Sequence, residues 1–160
     1  MDPKRAALIQ QAREKCFILY DGKKTPHRSC GIALAETFNR ETRPYQSLRR
    51  GGLTGCGECG AIMAGRLILG ELFGDPNPTG PVTAQLKSAM ADFERLWQQR
   101  IDRKQAPSDS IVCNTLTSQF TEFRSPERAA FCTALAAMVA ECVAEVMLKN
   151  ELGFELTPID

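Results

Sequence analysis

Apolar residues return every three or four positions over most of the chain, and the elements they predict are helices. Leu8, Ile9, Ala12, Cys16 and Leu19 share one face of a first helix, with Asp2 as its cap, Pro3 at its first position and Asp21-Gly22 at its end. Ser29 can cap a second helix that carries Cys30, Ile32, Leu34, Ala35 and Phe38, and Pro44 breaks that run. A third helix begins close to Glu58 or Cys59. From Ala61 to Phe73 it is apolar nearly all round apart from Arg66 and Glu71, the pattern of a buried central helix. Gly60, Ala61, Ala64 and Gly65 on it are small enough to let another backbone come close.

Val82, Leu86, Ala89, Met90, Phe93, Trp97 and Ile101 then repeat at helical spacing, with Lys87, Asp92, Glu94 and Arg95 on the other faces. A short segment with Cys113, Leu116 and Phe120 follows. Ser125-Pro126-Glu127 opens a last long helix lined by Ala129, Cys132, Leu135, Ala136, Val139, Val143 and Met147. Glycine and proline punctuate the rest: a glycine-rich approach from Gly51 to Gly57, an exposed turn cluster from Gly74 to Pro81, and a polar break from Gln105 to Ser110. No turn dipeptide sits between alternating runs, so no strand is expected. The pattern predicts an all-α fold, a compact bundle of five or six helices forming a single domain over residues 1–160.

Charge excludes some functions. Lysine and arginine total 20 against 19 acidic residues, so no global field exists to hold a nucleic-acid backbone, and nucleic acid is not expected as a partner. The N-terminus lacks the apolar core of a signal peptide, and the apolar stretches stop at Gly, Arg or Glu short of the roughly 18 to 20 residues that a membrane helix needs. A cytoplasmic protein without membrane insertion is expected. The one histidine, His27, lies in a basic loop that reads as solvated, which leaves no Ser-His or Cys-His set for hydrolysis.

The chemistry is carried by seven cysteines. Cys56 and Cys59 form a C-x-x-C pair, short enough for a disulfide or for shared metal ligation, but without the preceding strand of a thioredoxin-like unit. Cys59 falls at a helix start, and so does Cys30 after Ser29; unpaired N–H groups there favour a thiolate. An odd number of cysteines in a cytoplasmic chain points to metal or redox chemistry rather than to a complete disulfide framework. Read alone, Cys113 and Cys132 are core residues of the second half. Cys16 and Cys142 lie on apolar helical faces and are read as structural. Arg49 and Arg50 read as a solvated turn, with the alternative that their charge raises the thiolate population nearby.

Four of these cysteines, in order and spacing, resemble a family of redox-active proteins recognised by four cysteines and a C-G-A-x-x-G motif. The resemblance runs through Ser29-Cys30-Gly31, the glycines from Gly51, Cys59-Gly60-Ala61, the helix end Leu69-Gly70-Glu71-Leu72-Phe73-Gly74, and then Cys113 and Cys132, over roughly residues 15 to 148. The final glycine of the motif is Ala64 here, with Gly65 one place later, and Cys16, Cys56 and Cys142 are additions. The resemblance implies a small helical protein whose cysteines are redox-active or ligate an iron-sulfur cluster, often encoded near transporter genes and so linked to a transporter system.

The expected site is Cys30, Cys59, Cys113 and Cys132, as ligands of an iron-sulfur cluster or as thiols cycling with a disulfide, in an oxidoreductase or electron carrier served by a redox partner protein. In the thiol version Cys59 attacks, as the most reactive sulfur, and Cys56 or Cys30 resolves. The other class left open is a noncatalytic interaction module, zinc-stabilised or metal-free, and a homodimer through its apolar helices.

Overall fold

The computed structural model describes residues 1–160, all of them in one helical unit without a named strand. Its helices are α1 (Pro3–Asp21), α2 (Cys30–Thr37), a 3-10 helix (Arg43–Leu48), α3 (Gly60–Phe73), α4 (Ala84–Arg100), α5 (Cys113–Thr117) and α6 (Pro126–Lys149). The ends follow local chemistry. The Asp2 carboxylate accepts the Lys4 N–H at the start of α1, and Gly22 closes that helix in the left-handed region at φ 75°. Hydroxyls of Thr83 and Ser125 accept the N–H groups of Leu86 and Arg128 at the starts of α4 and α6. Ser29 stands at the cap position of α2 but makes no capping bond.

Helix α6 is the axis of the bundle, packed against α1, α2, α3 and α4. Val139, Val143 and Val146 on it are fully buried, together with Leu19 of α1, Leu34 of α2, Ile62, Ile68 and Leu69 of α3, and Phe93 of α4. By length and hydropathy α6 could cross a membrane, but 72% of its most apolar window is buried inside the bundle, the pattern of a core helix. Its charged flank is tied down by Arg100, which reaches Glu141 at 3.3 Å and Glu145 at 2.6 Å.

The helix starting at Gly60 rather than Glu58 leaves Cys59 in the cap position, with Glu58 outside and paired to Arg66. The shifted glycine also has a physical reason. A Cβ on Gly65 would stand 2.4 Å from the Phe93 ring, so α3 and α4 cross where this chain has no side chain. Residues 74 to 81 form the expected loop, mostly exposed.

Candidate functional site

Four helix ends or first turns converge on one cavity of about 340 Å³. Cys30 is the first residue of α2, Cys59 the cap of α3, Cys113 the first residue of α5, and Cys132 lies in the second turn of α6; all four line the cavity. Cys59 is buried at 8% exposure, and the other three are half-buried. The wall is completed chiefly by Tyr20, Ser29, Gly60, Phe123 and Arg128, with His27, Arg49, Arg50 and Arg124 at its exposed edge.

The glycine-rich segment before α3 is what joins the two halves of the site. Gly57 N–H donates to the Gly51 carbonyl, while the Cys113 and Asn114 N–H groups donate to the carbonyls of Gly57 and Gly55, all at 2.9 Å. Cys59 N–H donates to the Ile111 carbonyl at 2.7 Å. These bonds stitch residues 55 to 59 to residues 111 to 114 and bring α5 beside α3. They leave no room for side chains: a Cβ on Gly51, whose φ is 57°, would stand 2.5 Å from Cys113 Cβ. One on Gly60 would stand 2.4 Å from the Leu48 carbonyl oxygen and 2.7 Å from Cys30 Sγ.

Burial dominates the electrostatics of the sulfurs. It pushes the Cys30 thiol up to about 11, with the Cys132 sulfur adding to the rise and N–H groups at the start of α2 opposing it. Cys59 is raised further, by burial and then by Cys30, against N–H groups of Ala61 and Ile62 that pull it down. The helix start therefore acts on Cys59 in the direction that the sequence suggests, but desolvation outweighs it and the neutral thiol wins. Cys113 and Cys132 are also raised by burial; Arg50 and Arg128 oppose the rise at Cys113, and Arg128 with Tyr20 opposes it at Cys132. Among the cavity sulfurs, Cys30 adds to the rise at Cys59, and Cys132 adds to it at both Cys30 and Cys113. No three His, Cys, Asp or Glu side chains stand at the mutual spacing that would hold one metal ion.

Arg128 is the best-anchored polar group of the wall. Its guanidinium donates to the Tyr20 hydroxyl at 3.1 Å and to the Phe123 carbonyl, and lies 4.2 Å from the centre of the Phe123 ring. Arg50 stands 4.5 Å from the same centre. The His27 ring meets Tyr20 edge-on at 4.8 Å and pairs Nδ1 with the Tyr20 carbonyl.

The remaining cysteines lie elsewhere. Cys56 is exposed, has Sγ 3.8 Å from the Thr54 carbonyl, and is not part of the cavity wall that Cys59 lines. Gly57 turns the chain between them. Cys16 and Cys142 are fully buried, the first 3.5 Å from the Ala136 carbonyl and the second 3.6 Å from Met138 Sδ. Sequence reasoning passed over Tyr20, Phe123 and Arg128, which carry no motif, and read Arg50 as a solvated turn with an action on a nearby thiolate only as the alternative. The one available signal at Arg50 was its place beside the paired glycines.

A protein-family model described as "Putative redox-active protein (C_GCAxxG_C_C)" matches residues 28–146, a span that contains all four cavity cysteines. No curated protein and no solved structure matches the chain.

Proposed function

The chain belongs to this redox-active cysteine family, and from that premise we propose that Cys30, Cys59, Cys113 and Cys132 work as one thiol/disulfide centre that exchanges electrons with a redox partner protein. The observation that carries this reading is the single cavity wall shared by four free sulfurs. In each oxidation two thiols lose two protons and two electrons and an S–S bond forms; the electrons pass to a disulfide or other two-electron acceptor on the partner. Cys113, half-buried and facing Arg50 and Arg128, is the sulfur best served for contact with that acceptor. Electrostatic coupling of Cys113 with Cys132, of Cys132 with Cys30 and of Cys30 with Cys59 supports a relay in which a disulfide formed at the outer pair, Cys113 and Cys132, moves inward by exchange. Cys59 is then the inner sulfur, and Cys30 takes the resolving role in preference to the exposed Cys56.

High thiol pKa values make these sulfurs slow at neutral pH until an acceptor or a partner changes the cavity. Such thiols are guarded against adventitious oxidation. Differential alkylation before and after mild oxidation with diamide tests the reading. Two or four thiols should be lost reversibly from the cavity set, and Cys30→Ser should abolish the inner exchange.

A second reading rests on the donor set itself. Four thiols with no carboxylate on the wall suit an iron-sulfur cluster, and Arg50 and Arg128 would offset part of its negative charge. The donor chemistry fits, and the same four cysteines would hold the group, which would supply one-electron transfer. The sulfurs would have to draw together to do so, since no three stand at ligand spacing. Anaerobic purification with metal analysis and a visible spectrum separates the two readings: a cluster gives iron and colour, zinc gives metal without colour, and a thiol centre gives neither.

A further inference from the structure

The cavity carries a second chemistry besides sulfur. Its wall includes four arginines, Arg49, Arg50, Arg124 and Arg128, and no aspartate or glutamate. None of the four takes part in any salt bridge of the chain, whereas Arg13, Arg28, Arg40, Arg66, Arg95 and Arg100 all do. Arg50 and Arg128 lie 4.5 and 4.2 Å from the centre of one phenylalanine ring, so two unneutralised guanidiniums stand within about 9 Å of each other. Like charges held at that range repel. The position of Arg50 is also conformationally costly, because it adopts φ 47°, a left-handed conformation uncommon outside glycine, immediately before Gly51 and Gly52.

Beside them Ser29 lines the same cavity, and its hydroxyl oxygen is buried and without a hydrogen-bond partner. A buried hydroxyl left unpaired is costly, and a ligand oxygen that accepts its proton removes the cost. Guanidiniums held by an aromatic ring present fixed N–H donors, and such forks recognise oxyanions with two or more oxygens.

From this we infer that the cavity binds a small molecule bearing a divalent oxyanion, held between Arg50 and Arg128 with Ser29 as an additional donor and placed beside Cys113 and Cys132. Binding goes beyond the redox reading and does not depend on it, since it requires no change at sulfur. Two sources share the chemistry: the free inorganic ion, and an oxyanion group at the end of a small organic molecule that also uses the apolar part of the wall, Leu116, Phe131 and Leu135.

The test is calorimetric titration of the fully reduced, chelator-treated protein with inorganic phosphate and, separately, with glycerol 3-phosphate, against sodium chloride at equal ionic strength. Saturable binding of at least one phosphate ligand, absent with chloride, is expected. Tighter binding of glycerol 3-phosphate assigns the site to an organic phosphate, and equal or tighter binding of phosphate assigns it to the free ion. Arg50→Gln and Arg124→Gln alter exposed side chains and should fold normally; Arg50→Gln should weaken binding about tenfold, the scale of one charge-assisted hydrogen bond. Arg95→Gln, on α4 and paired with Asp92, should leave it unchanged. Bound phosphate should also slow alkylation of Cys113 by iodoacetamide, because a neighbouring anion disfavours the thiolate. No saturable heat beyond the chloride control, or equal binding by wild type and Arg50→Gln, would overturn the inference. Reversible disulfide formation is measured without phosphate, so failure of either proposal leaves the other readable.

Discussion

Two groups of buried cysteines can be compared in this molecule: Cys16 and Cys142 in the packed core, and Cys30, Cys59, Cys113 and Cys132 around the cavity. Burial raises the thiols of both groups, to about 12 for Cys16 and Cys142 and to about 11 for Cys30. Burial is therefore not what distinguishes the cavity sulfurs from the core ones. The difference lies in the surroundings. Core sulfurs meet Ala136 and Met138 in a close-packed interior, whereas the four cavity sulfurs border one shared open volume.

The comparison breaks most sharply at sulfur. Cys30→Ser should confine reversible thiol loss on diamide treatment to Cys113 and Cys132, while Cys16→Ala and Cys142→Ala should leave the full loss intact, as counted by differential alkylation. The core replacements should instead cost stability, about 1 to 3 kcal/mol each, read from urea denaturation. A redox loss in Cys142→Ala matching that in Cys30→Ser would erase the distinction.

Backbone space gives the next largest effect. Gly60→Ala pushes a Cβ against the Leu48 carbonyl and the Cys30 sulfur and should destabilise by about 1 to 3 kcal/mol, whereas Gly70→Ala, in the same helix with nothing within 4 Å, should stabilise by about 0.5 to 1 kcal/mol. Thermal melts of the two variants should move in opposite directions.

Alkaline pH should act on both groups together. A thiol whose pKa is higher folded than unfolded contributes stability that is fully present below the unfolded value of about 8.5. That contribution is lost as pH rises through about 11 for Cys30 and about 12 for Cys16 and Cys142. Reduced protein should accordingly weaken from about pH 8.5 upward, and the Cys16→Ala variant should show a shallower decline. The smallest expected effect is that of Cys56→Ser: the exposed Cys56 should alkylate first in native protein, and its replacement should leave reversible oxidation of the other sulfurs unchanged.

The fold was readable because its signals are local. Asp2 and Ser125 cap the helices they precede, and most of the apolar positions read on α1, α4 and α6 are buried, though Val82 lies before α4 and is exposed. Cys30 and Cys59 were legible from their places at helix starts, but Cys113 and Cys132 only through the family pattern, because no local signal tells Cys132 from Cys142 on the same helix. The C-x-x-C spacing misled about Cys56, since residues three apart share a face only inside a helix and α3 begins after Cys59. Cys59 misled in another way: its helix-start N–H groups act as expected, but its desolvation depends on tertiary packing. Tyr20, Phe123 and Arg128 come from α1, a loop and α6, and only the folded chain brings them together.

Disulfide mapping by mass spectrometry after anaerobic purification and stoichiometric diamide oxidation bears most directly on the shared sulfur centre. Disulfides confined to pairs among Cys30, Cys59, Cys113 and Cys132, fully reversed by dithiothreitol, are the predicted result. A dominant Cys56–Cys59 bridge, or oxidation spread equally over Cys16 and Cys142, would contradict it.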